Sequence, residues 1–241
     1  MPVHLRGTRR VNLASVVIAA CFAAIVAGSG TTAHAAFDVS TFTDASQLDF
    51  SGDFVYAGAL GDVSGALLPV TIGDATFTGL DALWTGPATS SFGSFGPGPD
   101  NAKLNIVLDG LRFHSDGNGP IGELPVVVGN TYKLQLLMLY FDRARSNLVT
   151  IEGVDQTPTF DTVASTNVGT VSTFTYTATD PILNIHIKGF PGSSAFGQPI
   201  LNAFTLELIP IPEPSTAIMA ALSALGIFAM RRKMRVEPAS E

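Results

Sequence analysis

Cysteine is almost missing from this chain: Cys21 is the only one, so no intrachain disulfide can form. Tryptophan occurs once, as Trp84, and histidine four times, at His4, His34, His114 and His186. Neither a Gly-x-Ser-x-Gly elbow, a His-x-x-x-His pair nor a glycine-rich phosphate loop is present, which removes the commonest hydrolase, metalloprotease and nucleotide-binding signatures. Basic residues are scarce in the middle. Between Ala36 and Ile209 only Lys103, Arg112, Lys133, Arg143, Arg145 and Lys188 stand against seventeen acidic side chains, a net charge of −11. Phosphate binding needs clustered Lys and Arg, so nucleic acid is excluded as a partner and an anionic lipid surface is disfavoured. Helical patterning is also wanting there: from Phe37 to Ile209 hardly any stretch repeats its apolar residues every 3.6 positions.

The two ends hold what the middle lacks. Arg6, Arg9 and Arg10 precede an apolar run from Val11 to Ala27, and Ala33-His34-Ala35 closes the segment. A basic start, an apolar helix and small residues at both positions of an Ala-x-Ala site are what signal peptidase accepts, because only small side chains fit its two pockets. Cleavage is expected between Ala35 and Ala36, with Ala33 and Ala35 as the recognised residues. Two alternatives remain. The segment can be a retained anchor, against which stand the Gly28-Ser29-Gly30 break and the Ala-x-Ala site; or Cys21 can be lipidated, against which the apolar run continues through Ala27.

At the other end Ile211-Pro212-Glu213-Pro214-Ser215 is followed by an uncharged stretch, Thr216 to Met230, and then by Arg231-Arg232-Lys233-Met234-Arg235. The prolines stop a strand and hold the backbone extended. The basic cluster keeps the end of an apolar helix on the cytoplasmic side. Fifteen helical residues rise only about 22 Å, short of the roughly 30 Å hydrocarbon core, which suits transient insertion into the inner membrane. In order and position these elements resemble the PEP-CTERM sorting signal of Gram-negative, exopolysaccharide-producing bacteria, also known as the ice-binding protein C-terminal motif. The resemblance implies processing by an exosortase, with Pro212, Glu213 and Pro214 as residues acted on by that enzyme, and Arg231, Arg232 and Lys233 as the basic stop. An ordinary membrane anchor is the competing reading. The ice-binding label belongs to the tail alone, for the middle shows no regular threonine repeat.

The expected organisation is therefore a signal peptide over 1–35, one domain over 36–209, a sorting tail over 210–235 and a short polar end over 236–241. Strand-sized segments recur in the domain: Asp53–Ala57, Val70–Ile72, Ala75–Thr78, Ala102–Leu108, Thr131–Phe141, Asn147–Ile151, Val171–Ala178, Pro181–Gly189 and Asn202–Ile209. Apolar and polar residues alternate cleanly from Leu183 to Lys188, as in a sheet with one wet face, whereas Leu134 to Leu139 is nearly all apolar and should cross the core centre. The fold class is all-β, an antiparallel two-sheet sandwich or jelly roll, flanked by the signal helix and the C-terminal hydrophobic helix. The strand after Gly129-Asn130, together with the closing Leu201-Asn202-Ala203-Phe204, resembles malectin-like and galactose-binding-like sandwiches, and that resemblance implies carbohydrate binding.

Candidate chemistry is sparse. Asp116, Asn118 and Glu123 space oxygen ligands along a glycine-rich loop, which makes calcium the one cofactor suggested; a solvated turn explains the same residues. Trp84 can stack a sugar from a Gly/Pro/Ser-rich loop, or plug the core. Tyr140, Asp142 and Arg143, at the end of the central strand, are the second ligand candidate. No residue set argues for catalysis. The reading is a non-catalytic exported domain that binds polysaccharide or another matrix component, with a purely structural envelope protein and a secreted polysaccharide hydrolase as alternatives.

Overall fold

The computed structural model describes residues 37–61, 68–91, 93–113, 119–190 and 197–210. The signal and cleavage residues Ala33, Ala35 and Ala36, the candidate ligands Asp116 and Asn118, and the sorting residues Pro212, Glu213, Pro214, Arg231, Arg232 and Lys233 lie outside them. Among the described residues no helix is long and apolar enough to cross a membrane, and Thr216 to Met230 is not among them.

In chain order the first strands are β1 (Phe37–Phe42), β2 (Asp53–Ala59), β3 (Val70–Ile72), β4 (Ala75–Gly79), β5 (Ala88–Ser90), β6 (Gly110–Phe113), β7 (Ile121–Pro125) and β8 (Thr131–Met138). They are followed by β9 (Ser146–Ile151), β10 (Val154–Asp155), β11 (Phe160–Asp161), β12 (Gly169–Thr177), β13 (Ile182–Gly189), β14 (Ile200–Leu201) and β15 (Ala203–Ile209). The main sheet has the order β1-β12-β8-β15-β2-β4-β3; a second sheet runs β10-β9-β13-β7, with β11 also on β9; a small sheet is β14-β6-β5. From β7 to β8, β8 to β9, β11 to β12, and β12 to β13, the chain passes each time from one large sheet to the other. That alternation is the jelly-roll way of closing a sandwich.

The centre of the main sheet is buried on both faces, which is why β8 reads as a nearly continuous apolar run. Leu137 pairs with Ala203 and Val171, and all three join a core with Phe77, Leu104 and Val107 on the outer side of the sheet. Leu134 and Leu136 alternate to the inner side, level with Leu206 and Phe204. Phe204 there meets Trp84 at 5.3 Å between ring centroids. The second sheet is wet on one face: Leu183, Ile185 and Ile187 are buried, while Asn184, His186 and Lys188 look outward.

Two glycines make room for this aromatic packing. A Cβ on Gly58 would fall 2.4 Å from the Phe204 ring, and one on Gly122 would fall 2.8 Å from the Trp84 ring. The free edge of β7 is closed by the same segment, through the Trp84–Gly122 bridge and Thr85 N donating to Ile121 O at 2.9 Å.

One expectation needs correction. Ala102 to Leu108 is not a strand but lies in and at the end of α1 (Asn101–Val107). Its apolar residues fit both periods, and burial chooses the helical one, with Leu104, Val107 and Leu108 facing the core. Asn101 and Asn105 hold it in place: Ala45 N donates to Asn101 Oδ1 at 2.9 Å, and Phe95 N to Asn105 Oδ1 at 2.8 Å. Within the otherwise antiparallel main sheet, β2 and β4 pair in parallel at Gly58–Thr78 and Ala59–Gly79. α1 packs over the outer face of the main sheet, where Leu104 and Val107 share a core with Leu137 and Ala203.

Asn202 joins these layers. It is fully buried, and every polar atom it has is used. Its Oδ1 accepts from Leu139 N at 2.7 Å; its Nδ2 donates to Leu108 O at 3.1 Å and Gly110 O at 3.0 Å. Its backbone N donates to Leu137 O, and its carbonyl accepts from Leu60 N. Replacing it strands at least one N–H and one C=O in the interior, each costing about 1–3 kcal/mol. Asn202→Ala should therefore lower the unfolding free energy by roughly 3 kcal/mol, read as an earlier urea midpoint with little change in slope. Asn184→Ala, on the wet face, should cost less than about 1 kcal/mol.

Candidate functional site

The loop from Tyr140 to Arg145 links β8 to β9 across one end of the sandwich, and its backbone is braced at both ends, at Tyr140 and at Arg145. Tyr140 forms a bridge with Ala164, and its carbonyl accepts from Ser165 N at 3.2 Å. Arg145 N donates to Thr162 Oγ1 at 2.9 Å, while Thr162 N donates back to Arg145 O at 2.8 Å. Asn147 Nδ2 also donates to Arg145 O, at 2.9 Å.

Arg145 lies beneath the loop, 6% exposed, with its guanidinium 4.5 Å from the Tyr140 ring centroid and Nη1 donating to Gln198 Oε1 at 2.6 Å. Burial lowers its proton affinity, and the Tyr140 hydroxyl counters it. An arginine nevertheless stays charged in a protein, so Tyr140 rests on a fixed cation. Phe141 packs against Tyr140 at 5.4 Å and is 40% exposed. Asp142 and Arg143 pair on the surface, Nε to Oδ2 at 2.6 Å. Phe190, just past β13, brings a further exposed aromatic side chain to this end.

The structure thus brings Tyr140, Asp142 and Arg143 together and sets Trp84 apart. Trp84 is 4% exposed, wedged between Phe204 and Gly122, so no sugar can reach its face. The stacking role is corrected to that of a core plug. Arg145 and Gln198 were not foreseen as supports, since their pairing spans 53 residues of sequence. Glu123 is exposed on β7, opposite Asn184. Among the described residues no three His, Cys, Asp or Glu side chains are grouped to hold a metal ion.

A second surface lies on the wet face of the second sheet, a shallow hollow of about 170 Å³ lined by Ile121, Thr150, Asn184, His186 and Lys188. Asp155 accepts from Thr150 Oγ1 at 2.7 Å and pairs with Lys188 at 3.3 Å, which lowers its pKa. Burial and then the Lys188 charge hold His186 below its usual value, with Asp155 opposing.

Compared with known proteins, the chain matches the PEP-CTERM protein-sorting motif over residues 210–233. No curated protein sequence matches it. Among solved structures it is similar to the extracellular domain of ANXUR1 from Arabidopsis thaliana, with a TM-score of 0.50 and 12% identity, covering 67% of this chain and 51% of that one. It is also similar to the plant receptor-like kinase ANX2, with a TM-score of 0.52 and 14% identity, covering 66% and 49%. This chain spans about half the length of those two. At such identity the likeness establishes the fold alone, an all-β sandwich. The chain is thus an all-β sandwich that carries a PEP-CTERM sorting motif, the mark of an exported protein processed at the membrane.

His186 gives a direct check on the second surface. Its depressed pKa means that the folded protein binds a proton there less readily than the unfolded chain. Stability from this group is present above pH 6.5 and is lost as the pH falls through the folded value. NMR titration should place the imidazole below 6.5, and Lys188→Gln should move it upward.

Proposed function

We propose that this is a surface or matrix protein of a Gram-negative-type bacterium, freed of its leader by signal peptidase and processed by an exosortase-type enzyme at Pro212-Glu213-Pro214. Its non-catalytic sandwich, residues 36–209, binds carbohydrate at the Tyr140 end.

The sorting motif supports the first half. The aromatic pair Tyr140–Phe141 beside the Asp142–Arg143 ion pair, on a braced loop, carries the second. Sugars are held by apolar faces that meet their C–H groups and by carboxylate, amide or guanidinium groups that meet their hydroxyls. Phe141 offers the face, and Asp142 and Arg143 offer the polar partners. Glycoside hydrolysis asks for two carboxyl groups facing one bond. In this loop the one carboxylate, Asp142, is bound to Arg143, which favours binding over cleavage.

The test is a glycan array probed with the full chain, with and without calcium. Binding to a bacterial exopolysaccharide is expected, weakened about tenfold or more by Phe141→Ala and by Asp142→Ala, the equivalent of about 1.4 kcal/mol. His186→Ala should leave it intact. Binding that ignores both loop variants, or no binding to any glycan, would sink the proposal, and release of reducing sugar would replace it with a hydrolase.

A further inference from the structure

The two ends of the sandwich differ in the apolar side chains they expose. At the Tyr140 end these are Phe141, Val163 and Phe190. At the opposite end they are Val127, Val128 and Ile182, at 63%, 56% and 41% exposure, without an aromatic ring among them. Val127 and Val128 sit at the tip of the connection from β7 to β8, and the segment from Val126 to Asn130 carries no charge. Ile182 pairs with Pro125 at the foot of the same connection.

This tip is rigid. Val127 N donates to the Tyr132 hydroxyl at 2.9 Å, Asn130 N to Val127 O at 3.2 Å, and Gly129 N to Ala178 O at 2.8 Å. With the backbone held from three sides, the two valine side chains project outward, with most of their surface open.

The same end is where the C-terminal tail departs. β15 runs from Ala203 near the Tyr140 end to Ile209, whose last partner is Thr131, three residues beyond Val128. Between Ile209 and Thr216, where the apolar stretch opens, there are six residues, three of them the prolines Pro210, Pro212 and Pro214. Even fully extended, the seven steps from Ile209 to Thr216 reach only about 24 Å. While that stretch is in a bilayer, Ile209, and with it this end of the sandwich, is held within this distance of the lipid surface.

We infer that the Val127–Val128–Ile182 tip dips into the bilayer while the tail is uncut, holding the sandwich upright with the Tyr140 end pointing away from the membrane. The inference rests on the sorting reading of the tail. The occupant is lipid acyl chain and not charged headgroup: the tip has no cation to offer, and the domain's net charge of −11 opposes anionic lipid. Once the tail is cut the tether is gone, and three aliphatic side chains are too little to keep the domain on the membrane, so processing would release it with its far end already facing outward.

The experiment uses the full chain in an exporting bacterium without exosortase, in a Cys21→Ser background that removes the sole thiol. Val128→Cys and, separately, Phe141→Cys carry a fluorophore, with Val127→Cys as a second tip position; buried Trp84 reports that each labelled chain is folded. In isolated membranes the tip label should be quenched several-fold more by a lipid-dissolved nitroxide than by iodide, and the Phe141 label the reverse. A tip label quenched by iodide alone, in a chain that stays with the membranes, overturns the inference and leaves the sorting reading standing. A tip label shielded from both quenchers points to a protein partner and overturns it as well. A folded chain absent from the membranes overturns both.

Discussion

The buried amide of Asn202 is the constraint on which this sandwich depends. It stands where the chain leaves the small sheet and enters β15, the strand lying between β8 and β2. Side chains in a strand alternate, so a slip of one residue there would turn Phe204 and Leu206 away from the second sheet and bring Thr205 into their place. By tying Leu139, Leu108, Gly110, Leu137 and Leu60 to one residue, Asn202 sets that register from one end. At the other end the pairing tolerates a shift between Leu206 and Glu207, where Val55 is the extra residue on β2. The rigid end and the forgiving end of the strand are thus different places. The aromatic loop stands near the rigid one, and the tail leaves from the other.

How much of this could be read from the residues follows from how local each cause is. The alternation from Leu183 to Lys188 and the apolar run from Leu134 to Leu139 are properties of a single strand facing one or two packed layers, and both are visible in sequence. The two- and three-residue strands β5, β10, β11 and β14 exist because of their neighbours and leave little pattern of their own. The α1 segment misled because its apolar residues satisfy both periods; only packing beneath Asn101 and Asn105 separates them. The same contrast holds at the candidate site. Tyr140, Asp142 and Arg143 adjoin one another in the chain and could be named together. The fate of Trp84 depended on Phe204 and Gly122, at separations of 120 and 38 residues, and nothing near Trp84 announces either.

All six basic residues of the domain lie among the described ones, and each is engaged. Lys103 pairs with Asp100, Arg112 with Asp81, Arg143 with Asp142 and Lys188 with Asp155. Lys133 lies between Asp49 and Glu207; burial alone would lower its pKa, but the two carboxylates outweigh it and raise it. Arg145 is under Tyr140. An acidic polymer approaching this surface would meet the surplus carboxylates and would have to displace an existing ion pair to gain a cation. A neutral sugar faces no such cost: its hydroxyls can bond to Asp142 and Arg143 as they stand, and its C–H face can lie on Phe141. The proposed site therefore suits neutral glycans over the uronate-rich or phosphorylated ones, for the same reason that the aliphatic tip at the other end suits lipid chains over charged headgroups.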